Sequence, residues 1–191
     1  AHGWRPIGAP HTITKAKGTT LNEIDGKPTF SLYKEYFQEK ADDFKQALSL
    51  PAVTYPLGMK ARGSEEWMIR VPLAINPDGS IVCGAEVIEG AEIRLMIGTI
   101  DTSLEAAEHV AKTVVQTLPP DGEKSVMFIS DCVARKILFG QKKVREHVVG
   151  IVTAEFHGLF DERSRSCDDA LDHCPAAGLC LGFFLRTFEA A

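Results

Sequence analysis

Apolar positions recur along this chain at two spacings, and the places where one gives way to the other mark out its elements. Residues 12–16 alternate and predict a strand, which Gly18 breaks and residues 21–24 resume. Asp25-Gly26 is a strong turn pair, and Pro28 enters the next element. From Thr29 to Gln38 the period lengthens: Phe30, Tyr33 and Phe37 fall on one face of a helix. A second helical piece over residues 42–49 carries Phe44, Ala47 and Leu48, and Pro51 is expected to end it. Residues 67–75 then read as one extended segment containing Arg70. Asn76-Pro77-Asp78-Gly79 turns it back into a partner strand over 80–83.

Residues 93–97 form another strand. Thr102 and Glu105 have the spacing of a capping box, and the helix they predict runs to Leu118 before Pro119-Pro120. Its apolar stripe holds Leu104, Ala107, Ala111, Val114, Val115 and Leu118. Residues 125–130 predict a buried strand. Ser130-Asp131 can cap a helix opened by Cys132-Val133-Ala134-Arg135. A further helix with Val144 and Val148, a strand over 151–156, a polar loop over 161–175 and a last strand over 178–188 complete the pattern. The expected fold class is α+β (α/β), with a mixed, largely antiparallel sheet and flanking helices, in a single domain over 1–191.

Composition narrows the function classes. A 45% hydrophobic content with 25% charged residues is ordinary for a globular chain. The net charge of −5 and the scattered lysines and arginines argue against nucleic-acid binding. No apolar run approaches the length of a membrane span, and the amino end lacks a signal-peptide profile. The expectation is a cytoplasmic protein with its five cysteines reduced. The opening AHGWRPIGAP is expected to be the middle of a longer protein.

The familiar catalytic signatures are absent: no Gly-rich phosphate loop, no GxGxxG after a strand, no GxSxG and no HExxH. Ser31-Leu32-Tyr33-Lys34 matches SxxK without its companion motifs, so core-helix residues are the better reading. Cys167, His173, Cys174 and Cys180 offer soft ligands, but their spacing is not that of a zinc knuckle. Among the histidines, His11, His147 and His157 could each reach a pocket, while His109 points away from its helix's apolar stripe. The strand-to-helix junction at Ser130–Cys132 presents free amides and a helix dipole, and Arg135 adds a planar fork suited to a carboxylate or phosphate. Cys132 as a nucleophile is the competing reading. Helix position lowers a thiol's pKa, but adjacent Asp131 opposes a second anion.

Three segments together resemble the C-terminal half of the FIST domain, an intracellular sensory module of bacterial signalling proteins. Gly3-Trp4 followed by ITKAKGTTLNEIDGKPTFSLYKEYF is similar to the family's Gly-Trp start and DGkp passage. Met68-Ile69-Arg70-Val71-Pro72-Leu73, the NPDG turn and Ile93-Arg94-Leu95-Met96 resemble its central strands. Cys132-Val133-Ala134-Arg135 is similar to its Ser-Cys-Val-Gly-Arg region, with Ala134 in place of a glycine. The resemblance implies a non-enzymatic module that binds an amino-acid-like or other small anionic ligand. Its partners would be an N-terminal FIST half and an effector domain. The residues it points to are Arg135, Ser130 and Cys132, with Arg70 and Glu155 carried from matching strands. Some members bind haem, so a haem-based nitric oxide sensor is an alternative implied in the same way, as is a degenerate dimerisation module.

Overall fold

The computed structural model describes residues 2–61, 63–117, 125–129, 132–140 and 184–188. The chain divides into two compact units, one over residues 4–99 and one formed by 1–3 with 100–191.

The first unit is dominated by antiparallel strands. β1 (Arg5–Lys17), β2 (Thr20–Ile24), β3 (Lys27–Pro28), β4 (Leu57–Lys60), β5 (Met68–Arg70), β6 (Pro72–Ile75), β7 (Ile81–Cys83) and β8 (Glu92–Ile97) form one sheet. Its order is β5-β4-β8-β1-β2-β7-β6, with β3 on β2. Consecutive strands β5 and β6 therefore lie at opposite ends of the sheet, yet only Val71 separates them. Because two residues of chain span at most about 7 Å, the sheet must curl until its edges meet there, as in a partly closed barrel. Gly84 N–H donates to Val71 O at 3.0 Å and helps to hold this corner. The single extended segment expected over 67–75 is thus two strands. Every pairing among the described residues is antiparallel, so the α+β expectation holds in coarse form while the mixed sheet does not appear.

Inward-facing Ile13, Leu21, Leu57, Met59, Ile81, Ile93 and Leu95 fill the interior. α1 (Phe30–Phe37) covers it, burying Phe30 and Tyr33 as the spacing predicts and Leu32 besides, with Phe37 partly buried against the same core. The second helical piece differs from expectation: a 3₁₀ helix occupies Gln38–Phe44, and α2 (Leu50–Thr54) follows. Pro51 begins α2 rather than ending its predecessor, because a first-turn residue needs no amide hydrogen. Ser49 caps it by accepting from Ala52 N–H at 3.3 Å.

In the second unit α3 (Ile100–Thr117) begins two residues before the expected cap, so Thr102 and Glu105 lie inside the helix. It buries Ser103, Ala107 and Ala111, while Val110 and Val114 are exposed. Gly3 is required here: its φ is +85°, and a Cβ would stand 2.7 Å from Ser103 Cα. β9 (Ser125–Ile129) pairs antiparallel with β10 (Phe184–Phe188), and α4 (Val133–Phe139) follows β9. Phe139 and Ala107 share a small apolar cluster with Leu104 and Leu138.

Candidate functional site

The features most suited to binding gather at one edge of the first unit, starting with an irregularity in β1. Ile7 pairs with Leu95 and His11 with Ile93, so β1 carries two more residues than β8 over this interval. Gly8, at φ +72°, and Pro10, which has no amide hydrogen, sit in the resulting bulge. Beyond it, His11 meets the Asp25-Gly26 turn. His11 Nδ1 lies 2.7 Å from Asp25 Oδ2, and Thr12 N–H donates to Asp25 Oδ1 at 2.8 Å. Gly26 N–H donates to Thr14 Oγ1 at 2.9 Å, fixing the turn from its other side.

These contacts hold the Asp25 carboxyl below its ordinary pKa. The Thr12 amide is the largest cause; partial burial opposes it, and the His11 hydrogen bond and the charges of His11 and Lys27 add to it. Asp25 therefore stabilises the fold fully above its unfolded value of about 3.9 and loses that contribution as pH falls through the lower folded value. Asp25→Asn, which tolerates the φ of +51° here, should show a smaller loss of stability on acidification than the parent. Urea denaturation over a pH series, in low salt because Asp25 is half-exposed, measures this.

Next to this pair lies an open recess of about 520 Å³ whose walls include His11, Thr12, Lys60, Ser64, Glu65 and Glu92. Thr12, Glu92 and Lys60 stand directly opposite one another across β1, β8 and β4, which places them on one face. Beyond β4, Ser64 and Glu65 also line the recess. Lys60 Nζ pairs with Glu65 at 2.9 Å, and the Arg94 guanidinium donates to Glu92 at 2.7 Å. Lys60 Nζ and Arg94 Cζ each lie 5.7 Å from the centre of the Trp67 ring, an arrangement that steadies both cations. His11 Nε2 is buried and has no hydrogen-bond partner among the described residues.

The residues expected to form the site divide between the first unit, the second unit and the undescribed part of the chain. Arg70 ends β5 and is half-buried. Its guanidinium donates to the main-chain oxygens of Glu86 and Ile69, and burial lowers its pKa. The contact with Glu86 O ties the end of β5 to the chain just beyond β7. Nearby Cys83 is buried, and its thiol pKa is pushed up to about 12. In the other unit, Cys132 is exposed and is itself the N-cap residue of α4, a place expected for Ser130-Asp131; its side chain makes no capping bond. Arg135 lies half-buried in the first turn of that helix. Arg70 and Arg135 belong to different units. Ser130 and Glu155 lie outside the described residues, as do His147, His157, Cys167, His173, Cys174 and Cys180. Among the described residues no group of three or more histidine, cysteine or acidic side chains could hold a metal ion. No helix among them is long and apolar enough to cross a membrane.

Haem can be tested against the recess directly. His11 has the carboxylate-backed imidazole that an axial ligand often uses. The walls, however, carry Lys60, Glu65 and Glu92 where the macrocycle's faces would need apolar contact. The recess does not fit haem.

Comparison with known proteins adds the family. The FIST C domain description matches residues 29–160, and the FIST N domain description matches residues 1–27. His11, Thr12 and Asp25 thus fall in the N match, while Lys60, Glu65 and Glu92 fall in the C match. The strands of the two matches are hydrogen-bonded into one sheet. The chain is similar to an uncharacterised protein of Methanocaldococcus jannaschii, 27% identical over 72% of this chain and 27% of that protein. It is also similar to uncharacterised proteins of Mycobacterium tuberculosis in two strains, 20% identical over 93% of this chain and 43% of theirs. The chain therefore spans less than half the length of these relatives. No solved structure matches it.

Proposed function

The chain belongs to the FIST family, and from that premise we propose that it is a non-enzymatic sensory module of a cytoplasmic signalling protein, binding a small polar molecule. The observation that carries this reading is the recess of the first unit. Donors and acceptors converge there on an open concavity, as small-molecule sites require. An amino-acid-like ligand suits walls that present both signs of charge. Occupancy would favour one packing of residues 63–67, and an effector domain and the rest of the N-terminal FIST half of the parent protein would read that difference.

A second reading places a small anion against Arg135, Ser130 and Cys132. It is favoured by the short passage from the end of β9 at Ile129 to the start of α4 at Val133. Calorimetric titration of the parent protein with an amino-acid panel separates the two. On the recess reading Lys60→Ala weakens binding by about tenfold, the loss of one charged hydrogen bond, and Arg135→Ala leaves it unchanged. The opposite pattern selects the junction. Binding of no member of the panel refutes the amino-acid ligand.

A further inference from the structure

The ion pair between Lys60 and Glu65 joins two side chains that are held very differently. Lys60 is anchored. It leaves β4 opposite Glu92 of β8, its ammonium lies 5.7 Å from the centre of the Trp67 ring, and only 22% of the side chain is exposed. Glu65 is 95% exposed, and Lys60 Nζ at 2.9 Å is the partner its carboxylate has among the described residues. That hydrogen bond, and then the charge of the ammonium, holds the Glu65 pKa below its ordinary value, so the pair is charged near neutrality.

The backbone around Glu65 does not depend on this contact. Ser64 N–H donates to Ala61 O at 3.0 Å, and Ser64 Oγ accepts from Glu66 N–H at 3.1 Å. The Glu65 side chain can therefore leave Lys60 while these bonds stay made. An ion pair with so exposed a member contributes little to folding, because water and salt screen it. A dissolved carboxylate entering the recess makes the same charge-assisted bond to Lys60. Glu92, the other carboxylate among the described walls, is engaged by the Arg94 guanidinium at 2.7 Å. Arg62 lies outside the described residues.

We propose that Glu65 is an internal competitor for the recess, holding the place at Lys60 that the carboxylate of an amino-acid-like ligand takes over on binding. The exchange is carboxylate for carboxylate, so Lys60 stays paired throughout. It returns the Glu65 charge to the outer surface of residues 63–67, which is the change that occupancy makes in that segment. This inference rests on the recess being the ligand site, and its test keeps the two ideas apart.

The whole chain, Glu65→Gln, Lys60→Ala and the double variant are titrated calorimetrically with each free amino acid of the panel. Glu65 is on the surface, so its replacement leaves the fold intact. An amino acid that binds the parent should bind Glu65→Gln about two- to fivefold more tightly, the worth of an exposed ion pair no longer to be broken. In the Lys60→Ala background the same replacement should make no difference. Equal or weaker binding by Glu65→Gln overturns the proposal. So does a gain that persists without Lys60, which would be a general effect of removing negative charge. When either result accompanies a loss of affinity in Lys60→Ala, the recess still stands as the ligand site. Full affinity in Lys60→Ala, or no binding by any amino acid, removes the recess reading and this inference together.

Discussion

Tyr33→Ala will cost the first unit about 3–5 kcal/mol, the usual penalty for truncating a fully buried aromatic residue. Tyr33 has no solvent exposure and sits at the centre of an aromatic group with Phe30, Phe37 and Phe44. Its hydroxyl donates to Tyr55 O at 3.1 Å, so helix α1 is joined to the chain just past α2 by both packing and a hydrogen bond. The two contributions can be separated. Tyr33→Phe removes only the hydroxyl and should cost about 1 kcal/mol. Urea denaturation of the three proteins reads both numbers. Equal midpoints for the parent and Tyr33→Ala would show that the aromatic group is not what holds α1 to the sheet.

Trp4→Ala should have an effect of the same size, about 3–5 kcal/mol. Trp4 is 5% exposed, and its indole N–H donates to Val53 O at 2.9 Å, binding the start of the chain to α2. Gly98 lies against the ring so closely that a Cβ there would collide with the indole nitrogen. Gly98→Ala should therefore act through Trp4, at about 1–3 kcal/mol for an overpacked contact. In a double-mutant cycle the cost of Gly98→Ala should largely vanish once Trp4 is already alanine. Additive costs would mean that the two residues act independently.

Much of the fold was legible because local signals agreed with one another. Phe30, Tyr33 and Phe37 carry the helical period and also pack together, so pattern and tertiary contact point the same way. The turn chemistry at Asp25-Gly26 and Asn76–Gly79 left little freedom, and both turns appear. What could not be read was pairing at a distance. The curl that brings β5 and β6 together at Val71 depends on which strands neighbour which, and a run of extended residues does not record that. Pro51 was misread because proline is compatible with the first turn of a helix as well as with the end of one.

The candidate site was legible only in fragments, for a related reason. His11 was one of three histidines read as able to reach a pocket. Its carboxylate partner is 14 residues away across a hairpin, and the signal for their meeting was the bulge that Gly8 and Pro10 foreshadow. Lys60, Glu65 and Glu92 carry no motif; they come together only through the register of β1, β8 and β4. Arg70 was a candidate only through the resemblance of its strand to the family's. Its burial and its bonds to carbonyl oxygens show why such a cation can serve the fold instead.

Chemical-shift mapping of backbone amides, with the whole chain titrated by a bound member of the amino-acid panel, tests the proposed site most directly. The largest changes are expected at Thr12, Lys60, Ser64, Glu65 and Glu92. Changes confined to Cys132–Phe139, or spread evenly over the chain, would contradict a ligand seated in the recess.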